Sequence, residues 1–540
     1  MIAPAAAPRA SRILSWLAGA AALWLAILLL HYFLTPLAPR HRLESAFMIL
    51  GAAGIAATWT RTGGPGNGVE HGAGFGAAGI GVLAVLFGAG VLQLYGSALG
   101  IGLLSDDFVL LDWARRGEWI HREETGFVRP AVPLFWAALL RLPGAFDVTA
   151  HAANLALHAV NAVLVSLLAT RLRLPRADAV LAGALFLSFP AFTEAVVWAS
   201  GTQDVLMTTL VLAAVLAATP SPPQVADVSD TCRSGVADVS DTWGRWGVAG
   251  LATVGALGVK ETAVVIPALV GLAWWGGARR PRWWTLATVV AVVAGYTGYR
   301  VSAGLPSSYF PELSRYFVKQ LMVEPFASLG APWTASWADA HPLVAVGRSL
   351  AIVGLLFLGL ATWTRQADRF RAGLAASAWV LIAILPVFTL FHVADDLQGS
   401  RYLYLPGVGF ALLLAVLAGQ AAALTSRPLA PAVLAGVALV LMTPSLPAIR
   451  FEEARWKEAA RARDAILGGI EQRAPIDGCG SFAAEGLADN VDGAYVFRNG
   501  LPQALAARRR PPIETADGRR PSRACQVTWD GQALAIVPLR

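Results

Sequence analysis

Thirteen apolar runs govern what this chain of 540 residues can become: 13–34, 44–60, 76–100, 149–170, 178–191, 205–218, 248–258, 262–276, 284–301, 346–363, 374–391, 403–420 and 430–446. Roughly 20 apolar residues of helix cross the hydrocarbon of a bilayer. No water is there to bond a free N–H or C=O, and a helix satisfies its own. The runs therefore predict an all-α polytopic membrane protein with thirteen transmembrane segments. Composition points the same way: 14% of the residues are charged, against about 25% in soluble domains. The first run follows Arg9 and Arg12, but it is too long for a signal peptide and lacks a small-residue cleavage site. It is read as a retained helix. Runs 248–258 and 262–276 are too short for clean crossings and meet at Lys260-Glu261, which predicts half-helices or a kinked hairpin.

The net charge of +7 sits mostly on arginines in short loops, where it orients helices and does not signal a nucleic-acid partner. Arg171, Arg173 and Arg176 follow the fourth run, Arg279, Arg280 and Arg282 the eighth, and Arg365, Arg369 and Arg371 the tenth. Counted alternately, all three clusters fall on one side, which the positive-inside rule makes the cytoplasm. Arg40, Arg42 and the five arginines of loop 104–148 run against this assignment. The expected protein is a multi-pass protein of the cytoplasmic membrane, with its N-terminus inside. Its parts are N-terminal helices over 1–103, an outer loop over 104–148, a membrane core over 149–449 and an extracytoplasmic domain over 450–540.

That C-terminal domain opens on a helical pattern, FEEARWKEAARARDAIL, and ends in a strand pair at 525–528 and 533–539, as in a small α/β fold. Cys479 and Cys525 form a disulfide if this domain faces an oxidising compartment, and are two thiols otherwise. The heptapeptide VADVSDT at 225–231 recurs at 236–242, a duplication in a cytoplasmic loop.

Five polar clusters collect on the outer side: Asp106-Asp107; Arg129-Pro130; Thr193-Glu194 with Gln203-Asp204; Lys260-Glu261; and Gln398 to Tyr404 with Arg401, Tyr402 and Tyr404. A charge at a membrane boundary is commonly a snorkelling anchor. Five such clusters at one mouth supply bases and cations to one cavity, which favours a site. Asp is also a good N-cap, so one of Asp106 and Asp107 is read as a cap for the helix that follows and the other as functional. His151, Asn154, His158 and Asn161 share one helix face and are read as interhelical hydrogen-bonding groups in preference to metal ligands. Lys260-Glu261 is read first as an intramembrane ion pair. Trp113, Trp119 and Trp136 lie near the acidic loop, as interfacial belt residues or, for one of them, a sugar platform.

Asp106-Asp107, Arg129-Pro130, Phe189-Pro190-x-x-Thr193-Glu194, Lys260-Glu261 and Arg401-Tyr402-Leu403-Tyr404-Leu405-Pro406 occur in an order that resembles the GT-C glycosyltransferases. The resemblance runs from about Leu104 to Trp456 and is nearest to the protein O-mannosyltransferases with C-terminal tetratricopeptide repeats and their bacterial relatives. The repeats are absent here, and Gly201-Thr202-Gln203-Asp204 stands where that family has Gly-Arg-Ala-Asp. The resemblance implies a GT-C-like fold, a polyprenyl-phosphate-linked sugar as donor, a hydroxyl acceptor on protein, lipid or glycan, and inversion at the anomeric carbon.

The residues suit that chemistry. A sugar phosphate ester carries its own leaving group, so the site needs one base for the acceptor hydroxyl and a cation for the phosphate. Asp106 or Asp107 is the candidate base. Arg401, with Tyr402, Tyr404 and Arg129, is the candidate phosphate and carrier site; Glu194, Asp204, Lys260 and Glu261 are candidate substrate contacts. No cofactor is expected, and a hard divalent cation on Asp106-Asp107 is the alternative. No Gly-rich nucleotide-binding pattern occurs, which fits a donor dissolved in the membrane lipid. The rival class is a transporter or lipid flippase, favoured only by the short pair of runs around Lys260-Glu261.

Overall fold

The structure is a computed structural model that describes residues 75–119, 128–220, 234–304, 319–362, 366–388, 391–426, 429–477, 479–483, 487, 489–507, 523–529 and 534–538. The runs 13–34 and 44–60 lie outside the described residues. Each of the other eleven overlaps helix among the described residues. Numbering only helices of nine residues or more, these are α1 (Ala77–Tyr95), α2 (Asp106–Arg116), α3 (Ala131–Leu139), α4 (Phe146–Arg171), α5 (Arg176–Leu187), α6 (Thr202–Ala218), α7 (Ser234–Val259), α8 (Ile266–Trp275), α9 (Trp283–Ser302), α10 (Pro342–Thr362), α11 (Ala367–Ile384), α12 (Tyr404–Ala423), α13 (Ala430–Met442) and α14 (Ser445–Asp477).

Six helical stretches among the described residues are long and apolar enough to cross a membrane, or seven if α5 and the Pro190–Val197 segment, bent by 51°, count as one. The lining of α10 shows what solvent this fold requires. Leu343, Val346, Leu350, Val353, Phe357 and Leu360 are exposed at alternating spacings of three and four, a stripe along one helix face. Such a stripe is costly in water and costs nothing in hydrocarbon. The chain is an α-helical membrane protein.

α12 is the axis of the bundle. All but its last residue are buried, and α5, α10, α11 and α13 pack around it. Its apolar residues occupy every face, as a helix without a solvent side requires. Small residues bring its neighbours close: a Cβ on Gly409 would lie 2.5 Å from the Ala376 carbonyl oxygen of α11. A second layer, α4 with α1, α5 and α6, then α7 and α9, packs against this axis.

The loops after α4, α8 and the start of α11 share one end of the bundle. A Cβ at Gly276 would touch both Leu172 and Ala375, and Arg369 Nη2 lies 3.3 Å from the buried Asp178 Oδ2. These contacts set the segments that carry the three arginine clusters beside one another; Arg365 lies outside the described residues. The break between runs seven and eight also falls as expected: α7 ends at Val259, Lys260 is extended, and a 3₁₀ turn Glu261–Val265 leads into α8.

The C-terminal domain differs in detail. Its first helix, α14, runs for 33 residues and continues beyond the polar pattern that announced it. The strand pair is present as β4 (Arg523–Trp529) antiparallel to β5 (Leu534–Pro538), with β1 (Cys479–Ala483) parallel to β4 on its other side. A separate hairpin joins β2 (Asn490–Val491) to β3 (Ala494–Tyr495). β1 carries no alternation to announce it and draws its partner from more than 40 residues away. Cys525 is disulfide-bonded. The register places Cys479 opposite Arg523, two residues from Cys525, but its side chain lies outside the described residues, as does Cys232. The first VADVSDT copy also lies outside them; the second is helical, within α7, which corrects its reading as loop.

Candidate active site

α2 starts at Asp106, and both acids sit in its first turn, where the helix dipole favours negative charge. Neither fills the N-cap role. Ser105 is the N-cap, without a side-chain cap bond. The structure then separates the two carboxylates. Asp107 is fully buried and saturated by donors: Leu104 N–H gives to Oδ2 at 2.7 Å, while Ser200 N–H and Oγ–H give to Oδ1 at 2.6 and 2.5 Å. Burial pushes its carboxyl up to about 7 against the pull of those bonds. Asp107 is a staple between loop 104–106 and the Ala199–Gly201 turn. Asp106 is half-buried; its Oδ1 takes a bond from Asn499 Nδ2 at 2.7 Å, and Oδ2 has no partner among the described residues.

Four of the remaining clusters meet in one network. Arg129 donates from Nε and Nη2 to Glu261 at 3.1 and 2.6 Å, and from Nη1 to Gln203 Oε1 at 2.5 Å. Lys260 Nζ donates to Asp204 Oδ1 at 2.5 Å, with both side chains buried. The ring of Tyr402 lies under both Lys260, at 4.9 Å, and Arg401, at 5.4 Å. Glu194 accepts from the Arg401 backbone N–H at 3.0 Å and from Ser400 Oγ at 3.3 Å.

The cations differ in what they have left to give. Three of the N–H donors of Arg129, a candidate for the donor phosphate, go to Glu261 and Gln203. Lys260 is likewise held by Asp204. The Arg401 guanidinium has one ionic contact among the described residues, Nη1 to Glu194 Oε1 at 3.3 Å, and its side chain is 18% exposed. Its other neighbours are ring faces: Trp198 at 5.0 Å, Tyr402 at 5.4 Å and Tyr495 at 5.7 Å. Ring faces attract a cation but take no N–H bond in plane, so most of its five donors stay available.

Tyr404 gives its hydroxyl to other partners. It is fully buried, and its hydroxyl donates to His158 Nδ1 at 2.7 Å and accepts from Asn161 Nδ2 at 3.2 Å. His158 Nε2 faces the Leu187 carbonyl at 3.1 Å, which sets the tautomer, because a carbonyl only accepts. The His and Asn face of α4 is thus an interhelical hydrogen-bond ladder. His151 reaches Gly102 O, and Asn154 holds Trp198 O and accepts from Thr202. Tyr404→Phe should therefore cost about 1–3 kcal/mol of stability and leave donor binding unchanged, which thermal unfolding in detergent and a donor titration would check.

Trp198 is the aromatic residue that the sequence reading missed. Its indole N–H donates to Leu104 O at 3.2 Å while its ring carries Arg401, so it joins the acidic loop to the cation. Trp136, a suggested sugar platform, is fully buried against Phe146. Tyr495 is the other omission; nothing in the polar tail marks it. Arg348 escaped notice as well. It is buried on α10, donates to Gly330 O at 2.6 Å and Leu441 O at 3.4 Å, and so binds the carboxyl ends of two helices.

Compared with known protein families, curated proteins and solved structures, the chain matches none. Among the described residues no group of three or more His, Cys, Asp or Glu side chains is placed to hold a metal ion.

Proposed function

We propose that this chain is a membrane glycosyltransferase of GT-C type, which moves a sugar from a polyprenyl-phosphate-linked donor to a hydroxyl acceptor at the outer face of the cytoplasmic membrane. The observation that carries the reading is a division of labour among the charged groups. Of the ten residues singled out, most of the cations and acids neutralise one another, while Asp106 keeps a carboxylate oxygen and Arg401 keeps N–H donors for something else. A base and a phosphate-binding cation are the two groups that this transfer needs.

In the proposed step, Asp106 Oδ2 accepts the proton of the acceptor hydroxyl. The acceptor oxygen forms its bond to the anomeric carbon as the bond from that carbon to the phosphate oxygen breaks, with the electron pair leaving on polyprenyl phosphate. Arg401 binds the growing negative charge. One displacement inverts the anomeric centre. Asp107 holds the loop, and Asp204–Lys260 and Glu261–Arg129 are ion pairs that hold their own segments together.

The test is reconstitution in liposomes with radiolabelled polyprenyl-phosphate sugars and a cell-envelope extract. Transfer that requires Asp106 supports the reading; no transfer, with a solute accumulating in the vesicles, overturns it in favour of transport. Arg401→Ala should raise the donor KM at least about tenfold, because a charge-assisted phosphate contact is lost.

A further inference from the structure

The geometry points to the C-terminal domain as a working part of this site, with Asn499 as the residue that positions the Asp106 carboxylate; the inference rests on Asp106 being the base. It starts from an oddity in the backbone. Ser105 has φ 48° and ψ −119°, a conformation that L residues other than glycine seldom adopt. A non-glycine residue stays in such a place only when its surroundings hold it there. Here the C-terminal domain does the holding. Ser105 N–H donates to Val496 O at 3.0 Å, and Asn499 N–H donates to Ser105 Oγ at 3.3 Å. Gly500, at φ +85°, packs so closely that a Cβ would lie 2.5 Å from Ser105 O. Phe497 stacks on Phe108 at 6.2 Å, and Arg463 Nη1 donates to the carbonyls of Ile101 and Leu103 at 3.0 and 2.7 Å.

These contacts bring the Asn499 side chain to the acid. Only the NH₂ of an amide donates, so the 2.7 Å bond to Asp106 Oδ1 fixes which way the Asn499 amide faces. Oδ1 is thus held closely by Asn499 and more loosely by Ser105 Oγ at 3.5 Å, which leaves Oδ2 as the oxygen for an acceptor hydroxyl. Tyr495, from the same hairpin and turn, closes the ring cage around Arg401. The domain therefore reaches both working groups: it orients the base through Asn499 and walls the cation through Tyr495.

The experiment is a double-mutant cycle on the full chain in liposomes, with polyprenyl-phosphate sugar as the probe. Asn499→Ala should lower kcat about ten- to a hundredfold, the scale of one hydrogen bond to a charged group, with the donor KM unchanged. In an Asp106→Asn background the same substitution should change the residual rate by less than about twofold, because a residue that acts through Asp106 has nothing left to position. Asn499→Asp, which sets a second carboxylate against the first, should lose at least as much as Asn499→Ala. Equal factors in both backgrounds, or an unaltered kcat, would overturn the inference while leaving the glycosyltransferase reading in place. Absence of transfer by the wild-type protein with every donor sugar would sink that reading, and this one with it.

Discussion

Asp106→Asn is expected to reduce kcat for sugar transfer by about 10²–10⁴-fold, the usual contribution of a positioned general base. The donor KM should stay within about threefold of the wild type, since uniform binding of the donor does not involve this carboxylate. The substitution keeps the volume and leaves an acceptor oxygen for Asn499, so the fold should persist. Asp107→Asn supplies the contrast. Its carboxylate meets three donors and no acceptor, so an amide NH₂ placed there must face N–H groups. That variant should lose about 1–3 kcal/mol of stability, and its lower activity should follow the fraction folded. Assays of both variants normalised to folded protein separate the roles: a normalised rate that is normal for Asp106→Asn would remove the base from the mechanism.

The second large effect concerns Lys260. Its ammonium and the Asp204 carboxylate are about 5% exposed and 2.5 Å apart. Removing one partner of such a pair leaves a buried charge without compensation, which costs about 3–5 kcal/mol. Lys260→Met should therefore unfold at much lower temperature or fail to accumulate in the membrane. Lys260→Met with Asp204→Leu should recover most of the loss, because removing both charges also removes the desolvation cost. If the pair instead moved a proton or ion, as a transporter requires, the double variant would be stable and solute flux would vanish. Flux and thermal unfolding measured on the same preparations decide between the two.

Several particulars of the fold were legible from the chain. The short runs on either side of Lys260-Glu261 announced a break because neither is long enough to cross alone, and the helix ends at Val259. The face of His151, Asn154, His158 and Asn161 was readable as a polar ladder because α-helical spacing is a local property. The closing strand pair was readable because a hairpin partner is near in sequence. The parallel strand β1, the ring wall of Trp198 and the part played by Tyr495 were not, because each depends on a partner distant along the chain.

Asp106 and Asp107 carry the same lesson to the site. They are neighbours of identical chemistry, and no pattern around them tells them apart. Ser200, 93 residues away, consumes Asp107, and Asn499, 393 residues away, holds one oxygen of Asp106. Arg129 and Arg401 divide in the same manner, one giving three hydrogen bonds to Glu261 and Gln203, the other cradled by rings. Partition of apolar runs into hydrocarbon adds up residue by residue along the chain, so the helical membrane architecture follows from the amino-acid order alone. Whether a charged group is spent or spare depends on which donors and acceptors the folded bundle sets within 3 Å of it. That is a property of the packed helices and the C-terminal domain together, and it separates the two acids and the two arginines.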